Sequence, residues 1–238
     1  MTATIGQRPA KNALFDGFAA VAQALANGRR AEIVELLSQG ERSVESIAAA
    51  IDQSVANTSH HLRTLARVGL VTTRREGTRI FYRLADERVY DLWAALRDVT
   101  ARHLDDLDAR ADAYLGDRRS IATISREALQ ARLGRDDTLL IDVRPLVEYE
   151  AGHIPGAIPV PPDRLDELLE TLPTDREIVA YCRGPYCVYA DQAVRHLTAR
   201  GRRALRLEDG FPEWRRRGGP VEIRADQPAD RGRLTGRN

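Results

Sequence analysis

The densest chemistry in the chain lies in Tyr181-Cys182-Arg183-Gly184-Pro185-Tyr186-Cys187, which holds both of its cysteines. A thiolate is a nucleophile, a metal ligand and a redox centre, so a pair five positions apart is compatible with redox, metal or phosphatase-type chemistry. The preceding run Glu177-Ile178-Val179-Ala180-Tyr181 reads as a buried strand, and Val188 to Leu197 has helical spacing. The loop therefore sits between the C-terminal end of a strand and the N-terminal end of a helix, where an α/β sheet places its chemistry.

The elements that must hold this loop fill the second half of the chain. Leu139 to Arg144 is a continuous apolar strand ending in charge, and Ala204-Leu205-Arg206-Leu207 is another. Helical segments Arg126 to Leu133, Asp163 to Leu172 and Val188 to Arg200 separate the strands. Buried, non-alternating strands alternating with helices predict a parallel sheet covered on both faces.

A length of 238 residues suits two domains, each with its own core. No apolar run approaches the ~20 residues of a membrane span. Met1 to Lys11 lacks the apolar core of a signal peptide, so a cytoplasmic protein with no membrane partner is expected. In that compartment the two cysteines are expected to be reactive rather than a structural disulfide. The net charge of +1 is uninformative, but between Ser54 and Arg83 six arginines (63, 67, 74, 75, 79 and 83) face the single acid Glu76. That is a basic patch on a balanced chain.

The elements around the patch have an order of their own. Phe15, Phe18, Ala19, Ala22 and Leu25 recur at helical spacing, and a second helix from Gly28 carries Ile33, Leu36 and Leu37. Ser43 can cap a short helix to Ile51, and Asp52-Gln53-Ser54 turns into a helix from Val55 to Val68 that Gly69 ends. Leu70 to Arg74 and Arg79 to Leu84 follow as a hairpin joined through Glu76-Gly77-Thr78. Helix, turn, helix and β-wing make a winged helix-turn-helix, mainly α with a β-wing. A longer helical pattern, Val89 to Tyr114, then carries an apolar seam suited to dimerisation.

Ser54-x5-His60-His61-Leu62-x2-Leu65-x3-Gly69-Leu70-Val71, with Arg74-Arg75-Glu76-Gly77 and Phe81-Tyr82-Arg83-Leu84, resembles the ArsR-type regulators over roughly Asn12 to Leu107. The resemblance implies a homodimer, paired through its first and last helices, that binds a near-palindromic operator in double-stranded DNA. The helix from Ser54 would enter the major groove, with Ser54, Asn57, Ser59, His60 and Arg63 at base edges and nearby phosphates. Arg74, Arg75 and Arg79 would hold the backbone or minor groove. Thiolate metal sensing in this half is excluded, because no cysteine precedes Cys182. His103 with Asp106 and Asp98 is the nearest approach to a borderline metal site, and no metal and no cofactor are assigned.

In the second half, Ile141-Asp142-Val143-Arg144-x3-Glu148-Tyr149-x2-Gly152-His153-Ile154-Pro155-Gly156-Ala157 resembles the first rhodanese signature. Asp209-Gly210-Phe211-x2-Trp214-x3-Gly218-x-Pro220-Val221 resembles the closing one. This likeness implies an α/β rhodanese-like domain whose loop cradles an anion on backbone N–H groups, with Cys182 accepting sulfane sulfur from a small donor or persulfide. The helix N-terminus and Arg183 would lower the Cys182 pKa. A phosphatase loop would need an arginine six positions after the cysteine, and that position is Val188.

The loop departs from the usual rhodanese pattern at Gly184, Pro185 and Cys187, which weakens the case for thiosulfate as donor. Cys187 either attacks a persulfide on Cys182, closing a bridge, or packs inertly. Asp142 and Arg144 are expected to support the loop as an ion pair, and His153 to be a turn and packing residue.

The domain assignment is 12–115 for the DNA-binding and dimerisation half, 116–120 for a linker, 121–224 for the rhodanese-like half and 225–238 for a flexible tail. The functional expectation is a DNA-binding transcriptional regulator, of repressor type, with sulfur on Cys182 as input. Two alternatives stand beside it: a sulfurtransferase tethered to DNA, and a regulator sensing another signal through its dimer helix.

Overall fold

The computed structural model describes residues 6–223; the expected tail lies outside them. The N-terminal half begins with α1 (Arg8–Leu25) and α2 (Gly28–Ser38), the latter capped by the Asn27 side chain accepting from the Arg30 amide. Strand β1 (Arg42–Ser43) leads into α3 (Val44–Ala50), capped by Ser43, and a turn leads into α4 (Val55–Arg67), capped by Ser54. Gly69, at φ 76°, ends that helix in the left-handed conformation a glycine adopts freely.

The wing is the antiparallel pair β2 (Val71–Glu76) and β3 (Arg79–Leu84), in register from Val71 opposite Leu84 to Glu76 opposite Arg79. Glu76 thus belongs to the strand, and Gly77 and Thr78 alone make the turn. The two-residue β1, too short to show a period of two, adds itself to β3 with Arg42 opposite Tyr82. Ile33, Leu37, Ile47, Leu62, Leu65 and Val71 form the core.

The expected long helix from Val89 to Tyr114 is two. The chain makes α5 (Glu87–His103), turns extended at Leu104, and restarts as α6 (Leu107–Leu115). Apolar spacing continued across the break, which is why the sequence read as one helix.

The C-terminal half is a five-stranded parallel sheet in the order β4-β8-β7-β5-β6, made of β4 (Thr123–Ile124), β5 (Thr138–Asp142), β6 (Ile158–Pro159), β7 (Glu177–Tyr181) and β8 (Ala204–Leu207). Between the strands lie α7 (Arg126–Gln130), α8 (Leu146–Ala151), α9 (Leu165–Thr171) and α10 (Val188–Ala199), with α11 (Phe211–Arg216) after β8. The six-residue helices α8 and α11 and the two-residue strands β4 and β6 had no periodic signal.

Both faces of the sheet are buried. Ile141, Ile178 and Ala180 pack with α10 on one face, while Leu140, Val179, Tyr181, Phe211 and Trp214 pack on the other. Cys182 continues the Ile178–Ala180 alternation into the first of these cores.

Segment 116–120 is pinned rather than free. Arg118 donates to the Pro185 carbonyl at 2.9 Å and pairs with Asp191, and Arg195 donates to the carbonyls of Leu115 and Asp117.

Candidate functional site

Strand β7 delivers Cys182 almost fully buried at its C-terminal end, and Cys187 sits half-buried as the residue capping α10. The two are joined by a disulfide, with Cα atoms 6.2 Å apart. The Cys187 amide donates to the Gly184 carbonyl at 3.2 Å, and the Cys182 carbonyl accepts from the Phe211 amide at 2.9 Å. At Pro185 the carbonyl accepts from Arg118 and from Arg206 at 2.7 Å, and both guanidiniums pair with the buried Asp191 of α10. Burial pushes Arg206 down to about 10.

Gly210 packs flat against the loop: a Cβ there would overlap the Arg183 carbonyl and the Gly184 Cα. That explains the glycine of the closing motif by space, not by backbone angle. The arrangement holds two sulfurs within bonding reach, so sulfur taken up by one thiol is open to attack by the other.

Arg183 is engaged by a buried carboxylate. Its Nε lies 3.0 Å from both carboxylate oxygens of Glu148, which is 1% exposed. The same carboxylate takes Arg42 of β1 at 2.5 Å. One buried anion therefore ties the residue after Cys182 to the strand that leads into α3.

Gln39, at the end of α2, makes a second tie. Its Nε2 donates to the Arg183 carbonyl at 3.3 Å, and its Oε1 accepts from Arg144 at 3.1 Å. Arg144 in turn donates to Asp142 at 2.9 Å and to the Gly152 carbonyl at 2.7 Å, and its guanidinium lies 4.1 Å over the Phe211 ring. Both members of the Asp142–Arg144 pair are fully buried. Further along the interface Arg97 pairs with Glu213 at 2.8 Å, Arg216 holds Asp91 and Glu87, and Arg215 donates to the Ser38 carbonyl. His153 is buried and stacks on Tyr149 with ring centroids 3.8 Å apart.

Gln39, Arg42 and Arg97 escaped the sequence reading, since each bonds a residue more than a hundred positions away. Glu148 lay inside the first rhodanese-like motif, which was the available signal.

On the DNA-binding half Asn57, His60 and Arg63 are exposed on α4, Ser59 is half-buried, and the Ser54 hydroxyl is engaged as the helix cap, accepting from the Asn57 amide. Burial and neighbouring arginines lower the pKa of His61 beside them. Arg74, Arg75 and Arg79 are exposed on the wing. Arg74 is held by Glu41 and Glu76, whereas Arg75 donates to the Gly77 carbonyl at 3.1 Å and pairs with no carboxylate among the described residues. Asp106 is engaged by Arg110, and among the described residues no group of three or more His, Cys, Asp or Glu is placed to hold a metal. Among them, too, no helix is long and apolar enough to cross a membrane.

A winged helix-turn-helix docked on a rhodanese-type sheet defines a two-domain regulator architecture. The profile "Bacterial regulatory protein, arsR family" matches residues 27–73, and "Rhodanese-like domain" matches residues 125–217. The HTH-type transcriptional regulator Rv0324 of Mycobacterium tuberculosis is 48% identical over 217 residues, covering 91% of this chain and 95% of the relative. A sulfurtransferase of Allochromatium vinosum is 36% identical over 100 residues, which is 41% of this chain and 92% of that protein. A homodimeric winged helix-turn-helix DNA-binding domain (fragment 1–100) from Mycobacterium bovis has 48% identity and a TM-score of 0.40, covering 43% of this chain and 94% of its own. The chain belongs to the ArsR family of transcriptional regulators, in the form that carries a C-terminal rhodanese-like domain.

Proposed function

We propose that the regulator takes its input as sulfane sulfur on Cys182 and answers with a change in operator affinity. The observation that carries this reading is the shared carboxylate. Glu148 binds Arg183, beside Cys182, and Arg42, on the strand feeding the helix-turn-helix. A rearrangement of the loop that moves Arg183 leaves Arg42 with a different counter-charge, which gives the two loop states different free energies of docking.

The chemistry balances without a cofactor. The Cys182 thiolate attacks the outer sulfur of a persulfide R–S–SH; the donor's S–S bond breaks, R–S⁻ leaves, and Cys182–S–SH forms. The Cys187 thiolate then attacks the Cys182 sulfur and expels HS⁻, forming the Cys182–Cys187 disulfide. Two thiols are oxidised and one sulfane sulfur is reduced to sulfide.

DNA contact falls to Asn57, Ser59, His60 and Arg63 of α4 and to Arg74, Arg75 and Arg79 of the wing, in the cytoplasm where the operator lies. The protein acts as a repressor and as a homodimer. In the single chain Leu14, Phe15 and Phe18 of α1 and Leu92, Leu96 and Val99 of α5 are exposed, with Phe18 at 63% and Val99 at 56%. Two such apolar faces are what a second copy would cover.

An operator-binding titration at fixed salt tests the reading. A persulfide donor lowers the affinity of the wild type by about 5- to 150-fold, the span of ordinary allosteric couplings, and leaves Cys182→Ser unchanged; equal responses refute it. The likeness to a sulfurtransferase favours a second reading, a turnover enzyme. Steady-state sulfur transfer far above that of Cys182→Ser, with no change in operator affinity, would establish that one instead.

A further inference from the structure

The Cys187 end of the loop opens on a cleft of about 110 Å³ that lies between the two halves. Its walls include Glu32, Glu35 and Leu36 of α2, Tyr114 of α6, and Arg183 and Cys187. An apolar cavity of about 150 Å³ holds benzene, so this cleft fits a molecule with a handful of non-hydrogen atoms.

Its charge is unusual. Of the two guanidiniums whose fields reach Glu35, Arg183 is bound to Glu148 and Arg97 to Glu213 at 2.8 Å. Glu32 pairs with Arg29 at the helix surface. The Glu35 carboxylate, partly buried against Gly184, has no hydrogen-bond or ion-pair partner among the described residues. Burial pushes its carboxyl up against the opposing fields of Arg97 and Arg183, neither of which touches it. Tyr186 and Tyr189 line it together with Tyr114, and aromatic faces also favour a cation.

We infer that this cleft is the donor site of the cysteine loop, and that Glu35, from the DNA-binding half, selects a small persulfide bearing an ammonium group over anionic donors such as thiosulfate. The ammonium supplies a contact partner for Glu35, and the sulfane sulfur is left at the Cys187 end of the loop, whose sulfur lies within bonding reach of that of Cys182. A dianion entering the same space meets Glu35 and Glu32, and the guanidinium on that wall, Arg183, is already bound to Glu148. The inference rests on Cys182 being the sulfur acceptor. It adds that the donor is screened by the domain that binds DNA, so donor binding and docking share one surface.

The experiment uses the full chain, reduced and freed of reductant, under anaerobic conditions. Cysteamine persulfide, its N-acetyl derivative and thiosulfate are supplied at equal concentration, and loading of the Cys182–Cys187 peptide is followed by mass spectrometry. The wild type is expected to react with cysteamine persulfide at least ~10-fold faster than with either other donor, the scale of one charge-assisted contact. Glu35→Gln, which keeps the shape, should bring the ratio of cysteamine persulfide to thiosulfate down by at least ~10-fold. Glu32→Gln, more exposed and already paired, should lower it less.

An unchanged ratio in Glu35→Gln, or an acetylated donor that reacts as fast as the amine, overturns the inference while Cys182 remains the acceptor. If no donor, inorganic polysulfide included, loads Cys182 in the wild type, the sulfur-input reading itself falls and takes this one with it.

Discussion

Replacing Glu148 by Gln probes the tie between the halves at its centre. The carboxylate is 1% exposed and holds two guanidiniums, Arg42 at 7% exposure and Arg183 at 22%. Glutamine keeps the shape and removes the charge, stranding the buried Arg42 and the partly exposed Arg183. Breaking a buried pair from one side costs about 3–5 kcal/mol, and Arg42, the more buried, should account for most of it. Arg42→Met leaves Glu148 with Arg183 and should cost less. The double variant strands only Arg183, which reaches water, so its cost should fall short of the sum by about 0.5–3 kcal/mol, the range for groups in direct contact.

Urea unfolding of the four proteins measures the cycle, and the two tryptophans make it informative. Trp93 lies on α5 in the DNA-binding half, and Trp214 is fully buried in the rhodanese-like half. Each half thus reports its own transition, and loss of docking should separate two transitions that coincide in the wild type. Additivity within ~0.5 kcal/mol, with both transitions still coincident in Glu148→Gln, would refute the shared carboxylate as the tie.

Other expected outcomes follow from the same geometry. Gly210→Ala drives a methyl group into the Arg183–Gly184 backbone; it should cost about 1–3 kcal/mol by overpacking and slow sulfur loading of Cys182, both readable by thermal melts and mass spectrometry. In operator binding, Arg75→Ala and Arg79→Ala should each flatten the plot of log K against log salt by about 0.9 per protomer. Arg74→Ala should flatten it less, because Glu41 and Glu76 already neutralise that guanidinium. Glu35 has its folded pKa above the ordinary 4.5, so the folded state binds its proton more tightly and stability is lost as pH rises from 4.5 through the raised value. Glu35→Gln should therefore melt higher than wild type above that window, and the gain should vanish below pH 4.5; a constant difference across pH would contradict it.

What the sequence disclosed divides along range. The capped helices α2 to α4, the hairpin and the core strands of the sheet carry their signals in a few neighbouring residues, such as Ser54 ahead of a 3.6-period run or Ile178 to Tyr181 as an unbroken apolar strand. The cysteine loop was legible for the same reason, since its chemistry is local. Strands β1, β4 and β6 are two residues each, shorter than any period, and the α5–α6 break was hidden because apolar spacing continued through it. The partner of Arg183 was not legible, because adjacency in the chain places it beside Cys182 and says nothing of distant carboxylates. The guanidinium binds Glu148, 35 positions upstream.

The Arg183–Glu148 pair also indicates how a small event at the loop can matter. The docking surface is built largely from ion pairs and side chain-to-carbonyl hydrogen bonds: Arg42 and Arg183 on Glu148, Arg97 on Glu213, Arg216 on Asp91, Gln39 on the loop. Buried ion pairs return in Coulomb energy roughly what desolvation takes, unlike an apolar interface of the same extent. Docked and released arrangements of such a surface therefore lie close in free energy. Moving a two-state population from 1:99 to 99:1 takes about 5.5 kcal/mol, and stranding the partners of a single buried carboxylate supplies most of that. A sulfur atom added next to Arg183 that displaces this side chain leaves Glu148 to Arg42 alone, and so draws on part of it.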